Sequence, residues 1–339
     1  MEYRGFGRTG MRVSPWCLGT MNFGAATSEE DAHRIVRLAL DHGINFVDTA
    51  NCYQNGASEE ILGRALASTG ARDRVVLATK VNVRMGEDPN AAGNHRRHII
   101  EQCHASLRRL GTDYLDVYYI HRPSSEVPID ETLRALDDLV RAGLVRYIGT
   151  SSFAAWQVLE SLWVAKEYGL NRFVCEQSPY HPLDRRIERE LLPMAQTYGI
   201  AVTSWSPLAG GFLTGKYRRG ADRTEGRFRA TGTPSDWDDR HFVPAAFDVV
   251  ELLGEIAAEK GCTTAQLTLA WCAAQPGMVG PVLGPRTVEQ FTEQLGAIDV
   301  VVTDEDRARI DQVARPGGCI VPYYLDDGAA DLRPHQFRW

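Results

Sequence analysis

The run Val75-Val76-Leu77-Ala78-Thr79-Lys80 lacks the alternation of a half-solvated strand and closes on a lysine. Such a strand belongs to a parallel sheet whose outer face is covered. Comparable β-branched or aromatic runs stand at 16–19, 46–49, 115–121, 145–150, 173–177, 201–205 and 279–284. Most are followed by a stretch that reads as a helix. Ser28 precedes Glu29, Glu30 and Asp31, and Ser58 precedes Glu59 and Glu60, each offering a capping hydroxyl and carboxylates that suit the helix dipole. Gly43, Gly143 and Gly169 fall where those helices should stop. Eight strand-helix alternations predict an α/β fold, a closed (β/α)8 (TIM) barrel, and residues 1–339 are expected to form one such domain.

Length alone leaves one large domain or two ordinary ones for 339 residues. With 44% hydrophobic and 24% charged residues, disorder of the whole chain is excluded. No apolar run is long enough to span a bilayer. The charged, Gly-rich start MEYRGFGRTG is unlike a signal peptide, so a cytoplasmic location is expected. A net charge of -7 argues against nucleic acid or an anionic membrane as partner. The seven cysteines are scattered and never spaced C-x-x-C, which points away from structural zinc and from a disulfide framework; no metal is expected.

Three segments stand outside the repeat. Residues 3–14 read as a hairpin around Gly7-Arg8-Thr9-Gly10 that lids the bottom of the barrel. Residues 208–244 form a long polar insertion after the seventh strand, rich in Gly and Arg, expected to fold over an anionic cofactor. The tail from about Pro316, with Tyr323, Tyr324, Phe337 and Trp339, is aromatic enough to pack on the barrel.

Two motifs mislead. Gly5-Phe6-Gly7-Arg8-Thr9-Gly10 matches the dinucleotide fingerprint, but that fingerprint works only between a strand and a helix. Here an extended stretch ending in Pro15 follows, so a hairpin turn is expected. Gly210 to Lys216 has P-loop spacing, yet Tyr217 stands where Ser or Thr would hold magnesium. Its glycines and Lys216 still offer contacts to a pyrophosphate.

Active sites of such barrels lie at the C-terminal ends of the strands. The second strand supplies Asp48 and, five residues on, Tyr53; the third ends in Lys80 and the fourth in His121. Lys80 follows a buried run and needs a counter-charge, which Asp48 gives. The four suit hydride chemistry at a carbonyl: Tyr53 as general acid, its pKa expected to fall from about 10 beside the Lys80 ammonium, and His121 orienting the carbonyl oxygen.

With Gly43-Ile44-Asn45-Phe46-Val47-Asp48-Thr49-Ala50 and Tyr53, Ala78-Thr79-Lys80, Ser106 to Asp116, Ile120-His121-Arg122-Pro123, Gly149 to Phe153, Gln177, Trp205 to Leu208 and Gly284 to Thr287, the chain resembles the aldo-keto reductase family over about residues 3–315. The resemblance implies a (β/α)8 barrel, NADP(H) across its mouth, a small carbonyl substrate, and Asp48, Tyr53, Lys80 and His121 as catalytic tetrad. It also implies that Ser151, Ser152 and Gln177 meet the nicotinamide carboxamide and Trp205 stacks on the ring. Arg286 would meet the adenosine 2′-phosphate, and Gly19, Thr20, Ser206, Pro207, Leu208, Gly210, Lys216, Gly284, Gln290 and Gln294 complete the cofactor set. Ser152 and Gln294 depart from the commoner Asn. Stretches 205–211 and 284–287 resemble bacterial members that include aryl-alcohol dehydrogenases and keto-deoxysugar nucleotide reductases.

The reading is therefore a reversible NADPH-dependent reductase of aldehydes or ketones. Its alternatives are a regulatory subunit that binds the cofactor with little turnover, and a phosphate-binding isomerase or lyase, which leaves Tyr53 without a task. Substrate choice is expected to lie in Met21-Asn22-Phe23, residues 84–94, residues 208–244 and the tail.

Overall fold

A computed structural model of the chain describes residues 1–222, 226–228 and 239–323. Strand β1 (Arg4–Gly5) pairs antiparallel with β2 (Arg12–Val13), forming the expected N-terminal hairpin. Eight parallel strands follow: β3 (Cys17–Gly19), β4 (Phe46–Asp48), β5 (Val76–Val81), β6 (Leu115–Ile120), β7 (Val145–Ser151), β8 (Phe173–Pro179), β9 (Ala201–Trp205) and β10 (Met278–Leu283). They close in chain order, with β10 returning to β3. The helices include α1 (Glu29–Asp41), α2 (Ala57–Thr69), α3 (Arg96–Leu110), α4 (Ile129–Arg141), α5 (Ala155–Tyr168) and α6 (Leu191–Tyr198). Beyond β9 come α7 (Pro244–Glu259), α8 (Thr264–Ala274), α9 (Val288–Leu295) and α10 (Asp304–Val313). Among the described residues no helix is long and apolar enough to cross a membrane.

Two apolar clusters divide the strands residue by residue. Phe46, Val76, Ala78, Val117, Tyr119 and Cys175 fill the barrel interior, whereas Val47, Leu77, Tyr118 and Ile120 pack toward the helices. A strand repeats every two residues, so the inner face continues from Phe46 to Asp48, from Ala78 to Lys80, from Tyr119 to His121 and from Cys175 to Gln177. That alternation gathers the polar residues at one end of the barrel. Lower down, Tyr119 occupies the lumen because Gly149 leaves it room: a Cβ there would lie 2.7 Å from the Tyr119 ring.

The hairpin seals the opposite end. Phe6 is fully buried against Phe46, ring centroids 5.5 Å apart, and Arg4 donates to the carbonyls of Ala273, Met278 and Val279. Gly7, at φ +60°, sits so close to Gly199 O that a Cβ would approach to 2.7 Å. The glycines at 5–10 thus belong to a hairpin at the end of the barrel opposite the strand C-termini.

Ser28 caps α1 by accepting from Asp31 N at 3.2 Å. The expected cap at Ser58 is corrected: α2 starts at Ala57 with Gly56 in the cap position, and the buried Ser58 hydroxyl donates to Thr20 O at 2.8 Å. Glu59 is likewise no solvated dipole partner. It is fully buried, paired with Arg109 on α3 at 2.6 Å, and accepts from Thr79 on β5 at 2.5 Å, tying two helices to the barrel.

Of the long insertion, residues 209–214 form a 3-10 turn, and Arg219 is held on α7 by Asp248 and Glu251 at 2.7 and 3.0 Å. Residues 223–225 and 229–238, and the tail with Tyr324, Phe337 and Trp339, lie outside the described residues. The described part of the tail does pack on the barrel, with Cys319 bridged to Asp184 and Tyr323 edge-on to Trp205 at 4.4 Å.

Candidate active site

A cleft of about 740 Å³ opens at the C-terminal end of the barrel. Asp48, Tyr53 and His121 lie in its wall, and Lys80 is fully buried beneath them. The Lys80 ammonium is bonded to Asp48 Oδ1 and donates to Thr49 O at 2.8 Å and to the Tyr53 hydroxyl at 3.3 Å. Asp48 Oδ2 accepts from Gln177 Nε2 at 3.1 Å. The Tyr53 and His121 rings meet edge to face, centroids 5.8 Å apart. The sequence therefore separates by 73 positions what the barrel joins.

The electrostatics follow from burial. Burial would lower the Lys80 pKa, but Asp48 and Tyr53 together raise it, so the group stays an ammonium. Burial pushes the Asp48 carboxyl above its usual range, against the pull of Lys80. His121 is driven well below the ordinary imidazole value by burial, then by the charges of Lys80 and Arg122; it is neutral at physiological pH. Tyr53 corrects an expectation. Its pKa is raised, because loss of solvation outweighs the Lys80 charge. The phenol thus holds its proton, and Lys80 is placed to stabilise the tyrosinate left when that proton goes.

Every expected cofactor residue lies in the wall of this one cleft: Gly19, Thr20, Ser151, Ser152, Gln177, Trp205, Ser206, Pro207, Leu208, Gly210, Lys216, Gly284, Arg286, Gln290 and Gln294. Some have protein partners of their own. Ser152, with φ +65°, accepts at Oγ from Arg122 at 2.9 Å, Thr20 bonds to Asp48 O and Ser58, and Gln290 accepts from Arg286 N at 3.0 Å. Others are unsatisfied: Gln294 Oε1 is buried without a partner, and the Arg286 guanidinium has none among the described residues.

Arg122 and His181 face the cleft without a role expected from the sequence, and Arg240 and Tyr323 face it from the 208–244 segment and the tail, where substrate choice is expected. His181 follows the end of β8 and Arg122 the end of β6, so the same strand-end rule reaches both. The expected specificity segments divide. Met21 and Asn22 line the cleft while Phe23 is fully buried in the core, and none of residues 84–94 reaches the cleft.

The model of the Aldo/keto reductase family matches residues 15–315. The chain is 39% identical over 329 residues to the uncharacterized oxidoreductase YrpG of Bacillus subtilis (strain 168), covering 94% of this chain and 98% of that protein. It is also 39% identical over 304 residues to a probable voltage-gated potassium channel subunit beta of Arabidopsis thaliana, covering 89% and 92%. A probable subunit of the same name from Oryza sativa subsp. japonica is 38% identical over 304 residues, with the same coverage. Matched along nearly its whole length, the chain belongs to the aldo/keto reductase family.

Proposed function

We propose that the protein is an NADPH-dependent reductase of an aldehyde or ketone, working reversibly as an alcohol dehydrogenase. The observation that carries this reading is the Asp48-Lys80-Tyr53 chain of bonds opening into the same cleft as Arg286 and Gln294. The family generally uses NAD(P)H, and the unsatisfied groups of the cleft fit a phosphorylated dinucleotide. Gln294 Oε1 suits an adenine amino group, and Arg286, beside the start of α9, suits a phosphate. When bound, NADPH supplies the hydride.

The chain's own residues do the rest. Tyr53 gives its proton to the carbonyl oxygen as charge develops there. The Lys80 ammonium, 3.3 Å from the phenol oxygen, stabilises the tyrosinate, and Asp48 keeps that ammonium in place. Neutral His121 donates a hydrogen bond to the same carbonyl oxygen and orients it. Trp205 offers a flat wall for the nicotinamide. Gly19, Thr20, Ser151, Ser206, Pro207, Leu208, Gly210, Lys216, Gly284 and Gln290 shape the cofactor groove.

The names of the plant relatives favour a second reading, a regulatory subunit that binds the cofactor with little turnover. A panel of small aldehydes, aryl aldehydes, α-diketones and keto sugars, read by loss of NADPH absorbance, separates the two. Turnover with at least one class is expected. NADPH binding without oxidation by any class would overturn the enzyme reading.

A further inference from the structure

Arg122 stands one residue past His121 and is half-buried in the cleft wall. Its Nη1 donates to Ser152 Oγ at 2.9 Å and its Nη2 to the Tyr323 hydroxyl at 2.8 Å. Both acceptors are neutral, and among the described residues no carboxylate pairs with it. A guanidinium carries five N–H donors, so three of these have no acceptor there. The guanidinium also lies beside two rings that meet edge-on, 5.7 Å from the Trp205 centroid and 5.5 Å from that of Tyr323.

A second, independent feature lies in the same wall. His181 is only 6% exposed, and its Nδ1 has no partner. Burial pushes its pKa down to about 4, so the imidazole is neutral. Asp184, bridged to His181, accepts from Tyr323 N at 3.3 Å, which makes His181 a neighbour of the segment that Arg122 binds. The cofactor reading uses neither residue. Arg286 and Gln294 come from the loop after β10 and from α9, whereas Arg122 and His181 follow β6 and β8.

We propose that Arg122 receives a carboxylate of the carbonyl substrate, with His181 hydrogen-bonding the same end, so that preferred substrates are oxo acids or carboxylated aldehydes. A half-buried cation without a counter-ion is costly to keep, and a substrate anion removes that cost. The guanidinium fork matches a carboxylate, and a single such cation matches a single negative charge. Among the described residues neither Arg122 nor Arg286 of the cleft wall is paired with a carboxylate, which favours an anion in the cleft.

The inference rests on the proposed function, and its test keeps the two apart. With NADPH, kcat/KM is measured for 4-carboxybenzaldehyde and benzaldehyde on the native protein, Arg122→Met and Arg122→Lys. The carboxylated aldehyde should be preferred by roughly 10- to 100-fold. The ratio should fall to near one in Arg122→Met, through KM, and recover in part in Arg122→Lys. Calorimetric titration with 4-(hydroxymethyl)benzoate in the presence of NADP+ should show binding at least about tenfold weaker to Arg122→Met. A native ratio near one, a ratio preserved in Arg122→Met, or an equal fall for both aldehydes overturns the inference and spares the proposed function. If neither aldehyde nor any other carbonyl compound is reduced, the proposed function fails. The calorimetric result then decides Arg122 alone: weaker binding supports the anion site and equal binding overturns it.

Discussion

Lys80 Nζ lies 3.3 Å from the Tyr53 hydroxyl while bonded to Asp48, so one buried ammonium joins a carboxylate to a phenol at the cleft wall. Desolvation keeps the phenol protonated, and the ammonium is in place for the charge that forms when it ionises. Stability and chemistry therefore share one residue.

Lys80→Met should separate these roles. It leaves Asp48 buried and unpaired, a change that typically costs about 3–5 kcal/mol. Asp48 is already raised by burial, and loss of Lys80 raises it further. A group raised in the fold contributes stability that is lost as pH rises through its folded value. The penalty in urea unfolding should thus be larger at pH 8 than at pH 5. A penalty independent of pH would show that Asp48 does not depend on Lys80.

Glu176 provides a second pH test, away from the chemistry. It is fully buried on β8, with Oε2 unpartnered. Burial raises its pKa from 4.5 to about 7 against the hydrogen bonds of Thr150, Ser178 and the 152–153 backbone. Its stabilising effect is complete below the unfolded value and is lost as pH rises through about 7. Glu176→Gln should remove that slope, gaining roughly 3 kcal/mol relative to the native protein between pH 4.5 and pH 8 by the factor of about 1.36 per pKa unit. Parallel stability curves for the two proteins would contradict this.

The barrel was legible because its signals are local. Continuous apolar strands recur eight times, Ser28 and the glycines at 43, 143 and 169 mark ends of the helices between them, and the strand period of two carries Asp48, Lys80, His121 and Gln177 to one face. Ser58 misled because a helix cap and a buried hydroxyl look alike in one dimension; only the fold shows that Thr20 O lies beside it. The Tyr53 shift was misjudged for a related reason. Sequence displays the neighbouring charge but not the loss of solvent that outweighs it. Arg122 and His181 stand at strand ends in plain view, yet that Arg122 meets only neutral acceptors among the described residues and that His181 Nδ1 meets none is a property of three dimensions.

Arg286 should set cofactor choice. A hydrogen bond to a charged group contributes about 1.5–3 kcal/mol, so NADPH should bind roughly 10- to 150-fold tighter than NADH. Arg286→Ala should erase most of that difference while sparing NADH, as read by fluorescence titration of both cofactors. Equal affinities in the native protein would remove Arg286 from this role.

The central claim is that Tyr53 delivers the proton in NADPH-dependent carbonyl reduction. Its most direct test is single-turnover oxidation of bound NADPH by a carbonyl substrate taken from the panel, in the native protein and in Tyr53→Phe, with NADPH affinity titrated alongside. The phenyl ring keeps the contact with His121 and loses only the hydroxyl. The account predicts a rate lower by about 10²- to 10⁴-fold with NADPH affinity nearly intact. A near-native single-turnover rate in Tyr53→Phe would contradict it.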